Sequence, residues 1–209
     1  MALDQTAPSE SEDGAWILTQ LGHLYMMSGD VARAERALDE ALKTFPGYHY
    51  ALGNLARVRT AQGRHADAVG LLRQRQAAAD HPENLYELGE ALERAGRKAD
   101  AESVFAEFEM KARAESTEPD NANRELIFFY VDHARRPEEG LRLATAEAAG
   151  RRDVYTLDAH AWALWASGRK DEARSILETA LAVGARDPRL LEHAKVMGAR
   201  APGSVAQLR

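Results

Sequence analysis

Four hexamers of the form Gly, four residues, Ala punctuate this chain of 209 residues: GDVARA at 29–34, GRHADA at 63–68, GRKADA at 96–101 and GRKDEA at 168–173. The glycines stand 34 and then 33 residues apart, and the gap of 72 from Gly96 to Gly168 holds two such periods and a few extra residues. Repetition at this period marks a stack of small units, none of which buries its apolar face alone. Apolar residues at helical spacing flank the hexamers, as with Leu18, Leu21, Gly22 and Tyr25 before the first and Ala34, Leu38 and Ala41 after it. Each glycine therefore separates two helices. Lacking a Cβ, it closes the first in the left-handed conformation, and Asp30 suits the N-cap of the second. Small residues face each other across each hairpin, Gly22 with Ala34, Ala56 with Ala68, Gly89 with Ala101 and Ala161 with Ala173, and allow close helix approach.

Composition agrees with helices and narrows the chemistry. Ala, Leu, Glu and Arg dominate while Val, Ile and Thr are sparse, a balance that favours helix over strand. Lys and Arg number 27 against 33 Asp and Glu, a net charge of −6 with no basic surplus for phosphates, so nucleic acid is excluded as a partner. The acid is concentrated in residues 80–125, which hold 13 acidic against 6 basic side chains. With no cysteine there is no disulfide, thiolate metal site or thiol nucleophile. The opening MALDQTAPSESEDG has neither the basic start nor the apolar run of a signal peptide, and no stretch approaches the roughly 20 apolar residues of a membrane span. The expectation is a cytoplasmic protein with no membrane insertion, or a periplasmic one shorn of its export signal.

The residues at the repeat's fixed places resemble the tetratricopeptide repeat (TPR), whose signature is W-x2-L-G-x2-Y followed by Gly, Ala, an apolar residue, Ala and Pro. Residues 15–48 carry it as Leu18, Leu21, Gly22, Tyr25, Gly29, Ala34, Leu38, Ala41 and Pro46, with similar registers over 49–81, 82–115 and 154–187. A degenerate fourth repeat occupies 121–153: STEPDN reads as a loop, NRELIFFYVDHA as a first helix, and Pro137 opens a second, with Arg135 at the glycine's place and Gly140 at the alanine's. PRLLEHAKVMG after Asp187 reads as a capping helix over 188–198. The resemblance implies an all-α, right-handed superhelical solenoid of antiparallel helix pairs, about five repeats plus the C-terminal cap. One solenoid domain over 14–198 is expected, between a disordered tail at 1–13 and a flexible one at 199–209. Arg75, Phe108 and Glu147 replace a small alanine at the junction with the next repeat, which predicts looser packing there.

The family's concave groove is lined from places two, five, nine and twelve of each first helix. Carried along this chain, those places give Trp16, His23, Tyr50, Arg57, Tyr86, Glu90, Glu93, Glu125, Phe129, Asp132, Tyr155, Asp158, Trp162 and Trp165. His160 and His193 fall at place seven, usually a buried leucine, and are assigned a shared packing role. An aromatic and acidic lining suits a protein or peptide segment with Lys or Arg among apolar residues. The family's grip on chaperone C-terminal carboxylates is disfavoured: Asn54 fits, but Thr19 and His23 stand where a lysine and an asparagine are wanted, and Glu83 and Glu87 where bases are.

Other chemistry finds no footing in the sequence. AGRK at 95–98 lacks the phosphate-loop spacing, the seven histidines lack H-x3-H or HExxH spacing, and paired acids such as Glu90 with Glu93 read as helix surface. The expectation is a scaffold without catalytic activity, metal or cofactor. The alternatives are a self-associating homo-oligomer, and a positioning subunit of an enzyme complex or module of a larger protein.

Overall fold

The computed structural model describes residues 8–185 and 187–200, and every regular element among them is helical. In chain order these are α1 (Pro8–Met27), α2 (Val31–Thr44), α3 (His49–Ala61), α4 (His65–Ala78), α5 (Pro82–Arg94), α6 (Lys98–Ala114), α7 (Asn123–Phe128), α8 (Pro137–Gly150), α9 (Val154–Ala166), α10 (Lys170–Leu181) and α11 (Pro188–Met197). A π-helical stretch, Phe129–His133, continues α7. Packing divides the chain into two compact units, Met1–Phe108 and Glu109–Arg209, with the boundary inside α6.

The predicted glycine turns recur with one set of hydrogen bonds. Gly29, Gly63, Gly96 and Gly168 have φ of 82°, 73°, 76° and 81°, and the amide after each reaches back to a carbonyl of the preceding helix. Asp30 donates to Tyr25 O at 2.9 Å, Arg64 to Arg59 O at 2.8 Å, Arg97 to Leu92 O at 2.8 Å and Arg169 to Leu164 O at 2.9 Å. Gly198, φ 66°, closes α11 the same way, with the Ala199 amide donating to Ala194 O at 2.9 Å. Asp30 caps α2 as its type predicts, accepting the Arg33 amide at 3.0 Å.

In the first unit the hairpins α1/α2 and α3/α4 stack, with Ala34, Leu38, Ala41, Leu55 and Val58 in one buried cluster. Close approach depends on missing side chains: a Cβ on Gly22 would lie 2.6 Å from Leu38, and one on Gly89 2.4 Å from Phe105. The junctions expected to be loose are filled. Arg75 lies against Gly53 and pairs with Glu87, while Phe108 is fully buried beside Tyr86, ring centroids 5.4 Å apart.

The second unit is built on Leu126, Ile127, Phe128, Leu164, Leu177 and Leu190. Here Glu147 accepts a hydrogen bond from Asn123 Nδ2 at 2.8 Å, and the same nitrogen donates to Ser116 O at 2.8 Å, tying the loop to the hairpin. The degenerate repeat holds Arg135 at φ 53°, where the other repeats use glycine, and the Arg136 amide closes the turn on Tyr130 O at 2.7 Å. Gly140 lets the two helices sit close, since a Cβ there would meet Val131 at 3.1 Å and Ile127 O at 3.3 Å.

One helix boundary differs from the sequence reading. α1 begins at Pro8, inside the tail expected over 1–13, since proline suits a first helical turn and Glu10 there complements the helix dipole. Residues 1–7 and 201–209, most of the two expected tails, lie outside the described residues.

Candidate functional site

Place two of the first helix carries an aromatic ring in three repeats, and all three rings are about half exposed. Trp16 is 53% exposed, Tyr50 52% and Tyr155 46%. In the first unit, Tyr50 stands beside His49 and Tyr48, centroids 3.9 and 5.6 Å away. Burial, and after it the nearby carboxylate of Glu12, pushes the Tyr48 hydroxyl above its ordinary pKa, which places acid next to these rings. His23 is half-buried on α1 and Glu93 is exposed at the end of α5.

The remaining charged positions of this unit are engaged with one another. Arg57 pairs with Glu87 at 2.8 Å, and Glu87 also holds Arg75, which emerges where Gly53 leaves room. Glu90 accepts from the Tyr86 hydroxyl at 3.2 Å and lies 3.7 Å from Arg94. Tyr86 itself is buried against Phe105 and Phe108, so it is not part of an open lining. The large Phe108 at the junction supplies that cover, where the family's alanine would leave the ring uncovered.

In the second unit a chain of contacts runs across three first helices. Trp162 Nε1 on α9 donates to Asp132 in the π-helical stretch at 2.7 Å. The same indole stacks on His193 of α11, centroids 4.1 Å apart and planes 11° from parallel. His193 Nδ1 lies 2.8 Å from Asp158 Oδ1, and both residues are buried. Phe128 flanks His193 at 5.7 Å, and the Arg189 guanidinium lies 4.7 Å from the centroid of the same phenyl ring. Although Asp132 keeps part of its surface in solvent, crowding round its carboxyl raises its pKa, and the Trp162 hydrogen bond opposes that rise. The indole is thus fixed at both its nitrogen and its face.

Asp158 and Phe129, placed on the lining by the sequence, are buried instead. Asp158 is covered by α11 because the buried His193 needs a polar partner. Phe129, in α-helical register with its amide on Glu125 O, is covered by the stacked His133 ring, centroids 6.3 Å apart, and by the Arg136 guanidinium at 5.9 Å. Two rings already carry cations of the same chain: Arg124 lies 5.3 Å over Tyr155, held by Glu125 at 2.9 Å, and Lys170 lies 5.0 Å over Trp165. The Asp158–His193 pair was missed from sequence, although a histidine at a leucine's place signals that a hydrogen-bond partner is nearby.

Among the described residues, no group of three or more His, Asp and Glu could hold a metal ion, and no helix is long and apolar enough to cross a membrane.

Comparison with known proteins places these features. Tetratricopeptide repeat models match residues 19–82 and 154–179. No curated protein sequence matches the chain. Among solved structures it is similar to TTC0263, a TPR protein of Thermus thermophilus, at 19% identity over 88% of this chain and 97% of that one, TM-score 0.65. It is also similar to PilF of Pseudomonas aeruginosa, at 19% identity over 90% and 86% of the two chains, TM-score 0.56. The pilus biogenesis factor PilW aligns at 21% identity over 88% and 86%, TM-score 0.55. At these identities the likeness is one of fold. Helix pairs joined by left-handed glycine turns, the recurring period and the two matched segments together show tetratricopeptide repeats in this chain, at residues 19–82 and 154–179.

Proposed function

We propose that this protein is a non-catalytic scaffold that holds partner segments bearing Lys or Arg among apolar residues, on exposed first-helix faces within each of its two units. Tetratricopeptide repeats are protein-interaction modules, which supports the general reading. The observation that carries the finer one is the half-bare aromatic ring at place two of three repeats, Trp16, Tyr50 and Tyr155. Exposed rings at a recurring place supply contact area at low entropic cost and attract cations. Arg124 over Tyr155 and Lys170 over Trp165 illustrate the pairing such a partner would extend or replace. Trp162, fixed by Asp132 and His193, serves as a rigid wall.

Fluorescence anisotropy with labelled peptides alternating Lys or Arg with Trp or Leu, against Glu-substituted controls, tests the reading. Binding of the basic set is expected to weaken about tenfold or more, roughly 1.4 kcal/mol, when Trp16, Tyr50 and Tyr155 are together replaced by Ala. Equal affinity of the triple variant and the parent overturns it.

A further inference from the structure

Place seven of a first helix is apolar and buried at three points in the chain: Leu55 on α3, Leu88 on α5 and Ile127 on α7, all 5% exposed or less. On α11 that place holds His193, nearly as buried at 6%, and α9 sets Asp158, 4% exposed, against it, with His193 Nδ1 2.8 Å from Asp158 Oδ1. Taking two such groups out of water is unfavourable, and an apolar pair of similar volume in their stead is often neutral or stabilising. The leucines and isoleucine at the equivalent places show that the chain closes such a seam without polar groups.

A leucine has no flat face to offer. The His193 ring lies on the Trp162 indole with centroids 4.1 Å apart and planes 11° from parallel. Asp132 holds the indole only at its nitrogen, 2.7 Å away, a single point about which a ring can still swing. The stack removes that swing, and Asp158 removes the imidazole's own by engaging Nδ1. We infer that Asp158 and His193 are positioning residues, kept at the expense of stability, that make Trp162 present one fixed orientation to the partner. What the indole does for that partner rests on the proposed function, and how it is held does not. A pair that was merely structural would behave in the opposite way, with stability lost whenever the hydrogen bond is removed.

Two double variants of the full chain test the inference. Asp158→Ala with His193→Leu keeps the combined volume near that of the native pair, and Asp158→Ala with His193→Phe does so while restoring a flat ring without the hydrogen bond. Trp16→Phe and Trp165→Phe in every chain leave Trp162 as the one indole of three, so that its fluorescence is read alone. Time-resolved anisotropy is expected to show added nanosecond motion of Trp162 in the Leu variant and the parent's rigidity in the Phe variant. The urea midpoint of the Leu variant is expected to equal or exceed that of the parent. Affinity for the basic peptides is expected to weaken about three- to tenfold in the Leu variant, the effect of ordering a side chain anew on binding, and to recover in the Phe variant.

An indole as rigid in the Leu variant as in the parent overturns the inference whatever the peptides do, because that readout needs no partner. A urea midpoint lowered equally in both variants also overturns it, since that marks a structural pair. So does a mobile indole with unchanged affinity, which would mean that the orientation of Trp162 is of no use to the partner. Failure of the wider reading looks different: the Trp16, Tyr50 and Tyr155 triple variant would then bind like the parent, while the anisotropy still decides whether the buried pair sets Trp162.

Discussion

His160 shows what a single substitution does to a repeat. It holds a place where the family carries leucine, and burial, followed by the nearby Arg169, lowers its pKa below the ordinary 6.5. The sign follows from linkage: below that value the unfolded chain takes up a proton before the folded one does, so stability falls as pH falls through the window beneath 6.5. Burial, and then Arg75, lower His49 in the same direction. His160→Leu is therefore expected to shrink the loss of stability between pH 7.5 and 5.5, measured by urea unfolding at both, and an undiminished loss counts against this account. A residue's place in the repeat was legible where only backbone geometry decides its fate, as with Trp16, Tyr50 and Tyr155. It was misleading for Tyr86, Phe129 and Asp158, which are covered by Phe108, by His133 with Arg136, and by His193. Those three depend on particular side-chain partners, two of them 22 and 35 positions away, which a repeat register does not encode.

Elements were more legible than side chains. The glycine turns, the two-helix repeat and the capping helix follow from hexamers whose backbone demands are strict, since only glycine reaches positive φ cheaply. The degenerate repeat tests that logic, because its turn holds Arg135 at φ 53°. A residue with a Cβ pays about 1–2 kcal/mol in this region, while glycine returns about 0.4–1 kcal/mol through the unfolded chain's freedom. Arg135→Gly should thus raise stability by about 0.5–1 kcal/mol, seen as a rise of roughly 1–4 °C in the melting temperature. A lower melting temperature would mean that the arginine side chain contributes more than its backbone costs. The looseness expected at Arg75, Phe108 and Glu147 failed for a reason visible only in the fold: Gly53, Tyr86 and Asn123 each complement the larger group.

At the scale of the whole molecule, the proposed function assigns approach to charge and grip to the exposed rings. The chain carries −6, and most of the excess acid lies in residues 80–125, yet Glu87 and Glu90 are held by neighbours of the same chain. On the proposed function, that acid would act at long range more than by direct contact. Because surface charges are screened over about 8–10 Å near physiological salt, association of the basic peptides should slow several-fold as salt rises from about 50 to 500 mM, with dissociation little changed. Stopped-flow mixing separates the two rates, and a salt-independent association rate would remove the steering role. Gly198 has a separate consequence for building with this molecule. Its backbone leaves α11 with the hydrogen bonding of the internal turns, so a designed helix spliced after it would start on the same trajectory as α2 or α10. A hairpin grafted at Gly198 would therefore need no new kind of joint.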